Sequence, residues 1–317
     1  MPATRRKFTL ETSATLGLII VLLFAFLWAT TSAFMTWENL VNLLRQTSIN
    51  GVIALGMLLV IISAGIDLSV GAVVAIAGIV NALLLKAGVP LIVTVPVSLL
   101  VGAAVGLLNG VLIYDFGITP FIASLGTMTM VRGLVMILSG ARMIASLPAG
   151  FAHLSMSTAL GIPTMFLIWM ALFAVTATLL RYTQLGRNMF IIGSSVEVAR
   201  LSGIRLRRNT YAIYSLCSLF AAIGGLLLSS RLSMGVPTAG IGYELDAIAA
   251  VVIGGGSLMG AAGSALGAVL GAIIMQTIHN GGTLLGIDPF ALQIIIGALI
   301  LVSVGIDQVR VRRRSTT

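Results

Sequence analysis

The chain has 317 residues, of which 58% are hydrophobic and only 9% charged, with a formal net charge of +9. A soluble globular domain carries about 25% charged residues, so water is excluded as the solvent for most of this surface. Lipid is left, where a spanning chain must be helical or a closed barrel because hydrocarbon offers backbone groups no partner; the long, continuous apolar runs exclude the barrel.

A bilayer core about 30 Å thick takes roughly 20 apolar residues per helix. The first run, 14–35, follows the basic Arg5, Arg6 and Lys7. It is longer than the apolar region of a secretion signal and further spans follow, so it reads as a retained first helix. Runs at 48–65, 69–85, 91–113, 118–139 and 163–180 come next. Segment 140–162 is then a long connection on the external side, with room for a short helix against the membrane. After a polar segment, 181–209, further runs lie at 211–230, 244–256, 262–280 and 290–306. The run at 244–256 is short and glycine-rich, and reads either as a full span or as a re-entrant or broken helix. The expected fold is an all-α polytopic membrane protein of about ten transmembrane helices, forming a single domain over 1–317.

Thirteen of the 18 Lys and Arg residues fall in three clusters: at the start of the chain, at Arg181, Arg187, Arg200, Arg205, Arg207 and Arg208, and at Arg310, Arg312, Arg313 and Arg314. Each abuts an apolar span, which favours a membrane boundary over nucleic acid. Six spans before the central cluster and four after it put all three clusters on one face. The positive-inside rule makes that face cytoplasmic, with both termini there.

An internal repeat is visible. Gly102, Gly106 and Gly110 precede "FGITPF", and Gly263, Gly267 and Gly271 precede "LGIDPF". The glycines are 161 residues apart, Pro120 and Pro289 are 169 apart, and the reading gives the second copy eight extra residues. "GIDLSVG" at 65–71 and "YELDAIAAVVIGGG" at 243–256 form a looser match. The matching spans run in opposite senses, so the repeat is expected to be inverted. Glycines four apart let helix backbones approach closely, and packing accounts for both triplets.

The central segment is too polar to span. It holds an amphipathic stretch with Val196, Ala199 and Leu201 beside Glu197 and Arg200, which Ser194 and Ser195 can cap and Gly203 can end. It reads either as a docking helix for a partner protein or as a basic loop that fixes topology.

"LGRNMFIIGSSVEVARLSGI" resembles the cytoplasmic coupling loop of the permease subunits of ribose-type ABC importers. The pattern falls on Leu185, Gly186, Arg187, Gly193, Ala199, Gly203 and Ile204, with Glu197 inside it. "LLRQTSINGVIALGMLLVIISAGIDLSVG" and "PTAGIGYELDAIAAVVIGGGSLMGAAGSALG" resemble two further signatures of that family, in the same order. The resemblance covers about residues 35–306. It departs at "GSLMGAAGS", where relatives carry more glycine or a basic residue. It implies a permease for a monosaccharide, working by alternating access, in a bacterial inner membrane. It also implies a separate ATP-binding cassette ATPase, an external or periplasmic sugar-binding protein, and a second permease copy, identical or paralogous. The chain holds no G-x-x-x-x-G-K-[ST], so no phosphate-cradling P-loop is expected on it. ATP would be used by the partner, and no cofactor belongs to this chain.

Charges inside a membrane mark pathways or paired structural sites. Asp67, near Ser69, can cap the helix that follows or act in gating. Glu244 and Asp246 suit the N-terminus of the eighth span by dipole, and the family signature adds a path or gate role. Arg132, inside a span, needs a carboxylate, backbone carbonyls or a watery cavity. Asn109, Thr119, Ser124, Thr127, Thr129, Asn81 and Gln276 are neutral polar residues in or beside spans, divided between helix pairing and a sugar route. His279, Asn280 and His153 read as turn or interface packing, without metal-ligand company. Cys217 reads as a small buried hydrophobe. No catalytic constellation is expected. The alternative to an importer subunit is a secondary, proton-coupled transporter of a small polar solute using Asp67, Glu244 or Asp246.

Overall fold

The computed structural model describes residues 3–315 apart from residue 160. The side chains of the two terminal basic clusters lie outside what is described. The order of elements is α1 (Ala3–Thr30), α2 (Trp37–Ile62), α3 (Val70–Lys86), α4 (Leu91–Tyr114), α5 (Pro120–Ser139), α6 (Ala149–Met156), β1 (Thr158–Ala159), β2 (Ile162–Pro163), α7 (Thr164–Tyr182), α8 (Gln184–Ser194), α9 (Val196–Leu201), α10 (Leu206–Leu232), α11 (Tyr243–Ile253), α12 (Ala265–Leu284) and α13 (Pro289–Ser315).

The protein is an all-α membrane protein. Each of the ten expected apolar runs coincides with a helix. Among the described residues six are long and apolar enough to cross a bilayer, Ser13–Thr30 of α1 and the helices α2, α4, α5, α7 and α10; α3 and Pro289–Val302 of α13 are shorter apolar helices. α11 has 11 residues, about 16 Å at 1.5 Å per residue, roughly half a bilayer core. The run expected at 48–65 begins earlier, at Trp37, where the Thr36 hydroxyl accepts from the Asn39 amide. Its polar first half is helical because neighbouring helices meet its amides, which composition alone does not reveal.

α2 and α10 are the central pair. They pack on each other; α4 lies against α10, α12 against α2, α3 against α10 and α11 against α2. Close approach is what the small residues permit. A methyl on Gly106 would come within 2.2 Å of the Tyr214 carbonyl oxygen on α10, and one on Gly271 within 1.9 Å of the Ala250 oxygen on α11. α1, α4, α5 and α13 turn apolar side chains such as Leu22, Leu100, Ile137 and Ile294 outward, as a lipid-facing layer requires.

Both central helices end in a break. α2 stops where Ala64 adopts φ 60°, and α10 stops where Ser233 adopts φ 52°. Left-handed geometry costs a non-glycine residue roughly 1–2 kcal/mol, so each break is held by its surroundings. The chain after Ser233 turns back along α3: a methyl on Gly235 would meet Ala82, and one on Gly240 would meet Val74 and the Gly71 carbonyl. The connection between α5 and α7 contains α6 and a two-stranded hairpin, and Ile144 pairs with Gly235 through two 2.9 Å backbone bonds.

One offset recurs along the chain. Helix starts Trp37 and Leu206, the left-handed Ala64 and Ser233, the left-handed Gly117 (φ 67°) and Gly286 (φ 68°), and Pro120 and Pro289 are each 169 residues apart. The expected eight extra residues are therefore a slip along the small-residue stripe. At an offset of 169, Gly263, Gly267 and Gly271 match Thr94, Ser98 and Gly102, all buried or small. Because stripes repeat every four residues, an error of two repeats leaves the glycine pattern looking intact.

Candidate functional site

The first break places Asp67, fully buried, between α2 and α3. Its Oδ1 accepts from the Ser69 amide at 2.9 Å, the Ser69 hydroxyl at 2.6 Å and Asn109 Nδ2 at 3.2 Å; the same Nδ2 donates to Ser69 Oγ at 2.9 Å. Three expected residues, Asp67, Ser69 and Asn109, thus form one cluster. The carboxylate ties Ser69, the residue before α3, to Asn109 of α4, while Ser69 at the N-cap makes no side-chain cap bond to the helix. Among the described residues Asp67 Oδ2 and the Tyr214 hydroxyl are buried without an oxygen or nitrogen partner, and the buried Cys217 thiol lies beside the carboxylate. Ser124 reaches the same break, its hydroxyl lying 3.4 Å from the Ile66 carbonyl oxygen and 2.8 Å from that of Pro120.

The second break is held by Arg132. From α5 its Nη1 donates to the Ala239 carbonyl at 2.6 Å and to the Pro237 carbonyl at 3.4 Å. Of the partners the sequence leaves open for Arg132, backbone carbonyls are the ones found, freed because residues 233–242 are not helical. Glu244 begins α11 and lies within electrostatic reach of Arg132; its Oε1 accepts from the Gly242 amide at 3.3 Å. A methyl on Gly71 would come within 2.3 Å of Glu244 Oε2, so the starts of α3 and α11 meet inside the bundle. Asp246 faces α12, where its Oδ2 lies 3.3 Å from His279 Nε2.

A seam of neutral amides runs along the first half of α2. Asn39, Asn42, Gln46 and Asn50 share one helical face by their spacing of three and four residues. Asn50 Nδ2 donates to Gln276 at 2.8 Å, Gln276 Nε2 donates to Gln46 at 2.6 Å, and Asn39 exchanges two hydrogen bonds with Asn280, of 3.2 and 2.8 Å. Arg231 Nη2 donates to Asn42 at 2.7 Å. Of this seam the sequence analysis singled out only Gln276 and Asn280. The amides at three- and four-residue spacing carry the signal, but Asn39, Asn42 and Gln46 precede the apolar run at 48–65 and only Asn50 lies within it. Asn81 and Thr127 are buried without a side-chain partner, and Thr129 bonds back to the Leu125 carbonyl at 3.0 Å. Thr119 precedes α5 without a side-chain cap.

The central segment is two helices. α8 was not expected as one; its start is capped by Thr183, whose hydroxyl accepts from the Gly186 amide at 3.1 Å, and Gly186 sits against the backbone of Leu179 and Leu180. Asn188 Nδ2 of α8 donates to Asn209 of α10 at 3.0 Å, and at Gly193 the α8 backbone itself comes against the bundle. A methyl there would lie 1.9 Å from the Ile62 carbonyl oxygen and 2.7 Å from the Ala261 nitrogen. The Ala261 amide itself donates to that Ile62 oxygen at 2.9 Å. α8 therefore bears on the end of α2, just before the first break, and on the turn leading from α11 to α12.

α9 is capped by Ser195, whose hydroxyl accepts from Val198 at 3.3 Å. Ala199 is buried against Ile192 and Leu206, with Ile204 packed alongside. Gly203, at φ 73°, turns the chain out of the helix. The outer face is apolar: Val196, Val198 and Leu201 are 53%, 52% and 80% exposed, with Glu197 exposed beside them. Arg187 is exposed and lies 3.4 Å from the Tyr182 carbonyl. Among the described residues no group of three His, Cys, Asp or Glu side chains is placed to hold a metal.

Residues 39–304 match the family model described as branched-chain amino acid transport system / permease component. The chain is similar to the ribose import permease protein RbsC of Haemophilus influenzae, at 38% identity over 86% of this chain and 85% of that protein. It is 40% identical to the ribose import permease protein RbsC of Bacillus subtilis, over 78% of each. It is 32% identical to the xylose transport system permease protein XylH of Escherichia coli, over 97% of this chain and 94% of that protein. No solved structure matches the chain.

Proposed function

The chain belongs to the branched-chain amino acid transport system / permease component family, as a ribose-type ABC importer permease, and from that membership we propose how its parts move a sugar. It is the transmembrane permease subunit of a sugar importer and not an enzyme. ABC importers of this type work with an ATPase and a substrate-binding protein. The segment 181–209 is the coupling loop, with α9 presenting Val196, Glu197, Val198 and Leu201 to the ATPase. The observation that carries this reading is the contact of Gly193 with both Ile62 and Ala261. Displacement of α8 by a docked ATPase reaches both the α2–α3 break and the α11–α12 turn through backbone, with no flexible side chain between.

The helix breaks form the gate. Asp67, Ser69 and Asn109 fix one, and Arg132 and Glu244 fix the other, with Asp246 and His279 beside it. The amides of the seam offer a sugar hydroxyl both donors and acceptors, with the charge of Arg231 held against Asn42, which suits a route that must release its cargo. The 169-residue offset and the crossed packing of α4 on α10 and α12 on α2 support an inverted duplication of α2–α5 as α10–α13. About ten helices then cross the membrane, α11 doing so together with the non-helical 233–242. The coupling loop and both termini lie in the cytoplasm, and two permease copies complete the pathway.

The test is uptake of ribose and of xylose into vesicles holding the permease, its ATPase and its binding protein. Uptake that needs ATP hydrolysis supports the assignment. Uptake driven by a proton gradient without the ATPase would replace it with the secondary transporter reading.

A further inference from the structure

A groove of about 660 Å³ opens where the end of α4 meets the turn after α9 and the first turn of α10. Four arginines line it, Arg200, Arg205, Arg207 and Arg208, together with Tyr114 and Tyr211. All four arginines are exposed, so packing does not account for their convergence. Asp115 pairs with Arg207 at 3.0 Å and also takes the Tyr211 hydroxyl. Arg200, Arg205 and Arg208 have no ion-pair partner among the described residues.

Two further features converge here. Arg205 stands at the N-cap of α10 with no side-chain cap, and no acidic residue follows in the first turn, so unpaired backbone N–H groups add to the positive field. Tyr114, on the groove wall, ends α4, whose last turns carry the exposed Leu107 and Leu108, and the exposed Phe116 follows just past the helix end. The place related to α10's first turn by the 169-residue offset carries Trp37 and Glu38 instead of Leu206 and Arg207. The basic cluster therefore belongs to this end of the bundle and is not a by-product of repetition.

We infer that this groove holds the phosphodiester headgroup of an anionic membrane lipid whose acyl chains lie along α4. Guanidinium groups bind phosphate with charge-assisted, often bidentate, hydrogen bonds, tyrosines favour the membrane–water boundary, and basic pockets beside apolar helices take anionic headgroups. A protein partner would meet the arginines but leave the Leu107, Leu108 and Phe116 surface uncovered; one lipid molecule satisfies both. The apolar face of α9 stays free for protein docking, so this inference does not depend on the sugar reading.

The experiment uses the full chain assembled with its ATPase, stripped of lipid and titrated with phosphatidylglycerol and, separately, phosphatidylcholine. Phosphatidylglycerol should bind preferentially. Arg205→Gln with Arg208→Gln should weaken it about twenty-five-fold, about fivefold per charge, and Arg208→Gln alone about fivefold. Phosphatidylcholine binding and melting should not change. Equal binding of the two lipids, or an unaltered double variant, overturns the inference. So does full competition by glycerol phosphate at the lipid's own concentration, which would mark a site for a free anion. Loss of the ATPase with phosphatidylglycerol binding intact would assign the arginines to the protein interface and overturn it as well.

Discussion

Gly193→Ala is the sharpest probe of coupling. The added methyl would sit 1.9 Å from the Ile62 carbonyl oxygen, about 1.5 Å inside ordinary contact at 3.4 Å, and 2.7 Å from the Ala261 nitrogen. Both neighbours are backbone, so no rotamer change relieves the clash. Forcing a methyl into a packed site costs about 1–3 kcal/mol. Moving the Ile62 carbonyl also weakens the 2.9 Å bond from Ala261, worth about 1 kcal/mol. A total of about 2–4 kcal/mol, divided between lost stability and an α8 pushed off its seat, should lower ATP-driven sugar uptake at least tenfold. The ATPase should still bind, because the outer face of α9 is unaltered. The assay compares uptake, coupled ATP hydrolysis and ATPase retention on one reconstituted preparation. Gly126→Ala is the control, since nothing lies within 4 Å of its added carbon. A Gly193→Ala protein with unchanged melting and unchanged uptake would refute the argument that this contact transmits motion.

Asp67→Ala removes the acceptor shared by Ser69 and Asn109; leaving these buried donors unpaired should cost about 2–4 kcal/mol, read as a lower melting temperature in detergent. Arg132→Leu strips the Ala239 and Pro237 carbonyls of their donor. It should lose uptake while retaining the ATPase, and full uptake would remove Arg132 from the gate. Val198→Asp with Leu201→Asp charges a face that is already exposed, so folding should be unchanged while ATPase co-purification falls severalfold. A double-mutant cycle on Asn39 and Asn280 should give a coupling energy of about 0.6 kcal/mol, the usual scale for polar pairs between membrane helices. Uptake by the single variants should fall further than that stability loss explains if the seam carries sugar.

The break at Asp67 was partly legible, because an acidic residue flanked by glycine between apolar runs signals capping. That its carboxylate also ties α3 to Asn109 was not, because the two residues are 42 apart in sequence and no local rule joins them. Arg132 announced a need for partners, but its partners are carbonyls, which every residue carries. Segment 181–209 stood out through its polarity and its motif. α8 did not, since Leu185, Met189 and Ile192 make a short periodic run among glycines.

By itself the sequence determined the solvent, the helical class, the order of the spans and the family, since these follow from composition, periodicity and motif, which are properties of neighbouring residues. Only the tertiary structure decided that α11 is half a span, that the starts of α3 and α11 meet, that four amides of α2 form a seam, and that Gly193 touches both the end of α2 and the α11–α12 turn. Those are contacts between residues far apart in the chain, fixed by which backbones come close enough to exclude even a methyl group.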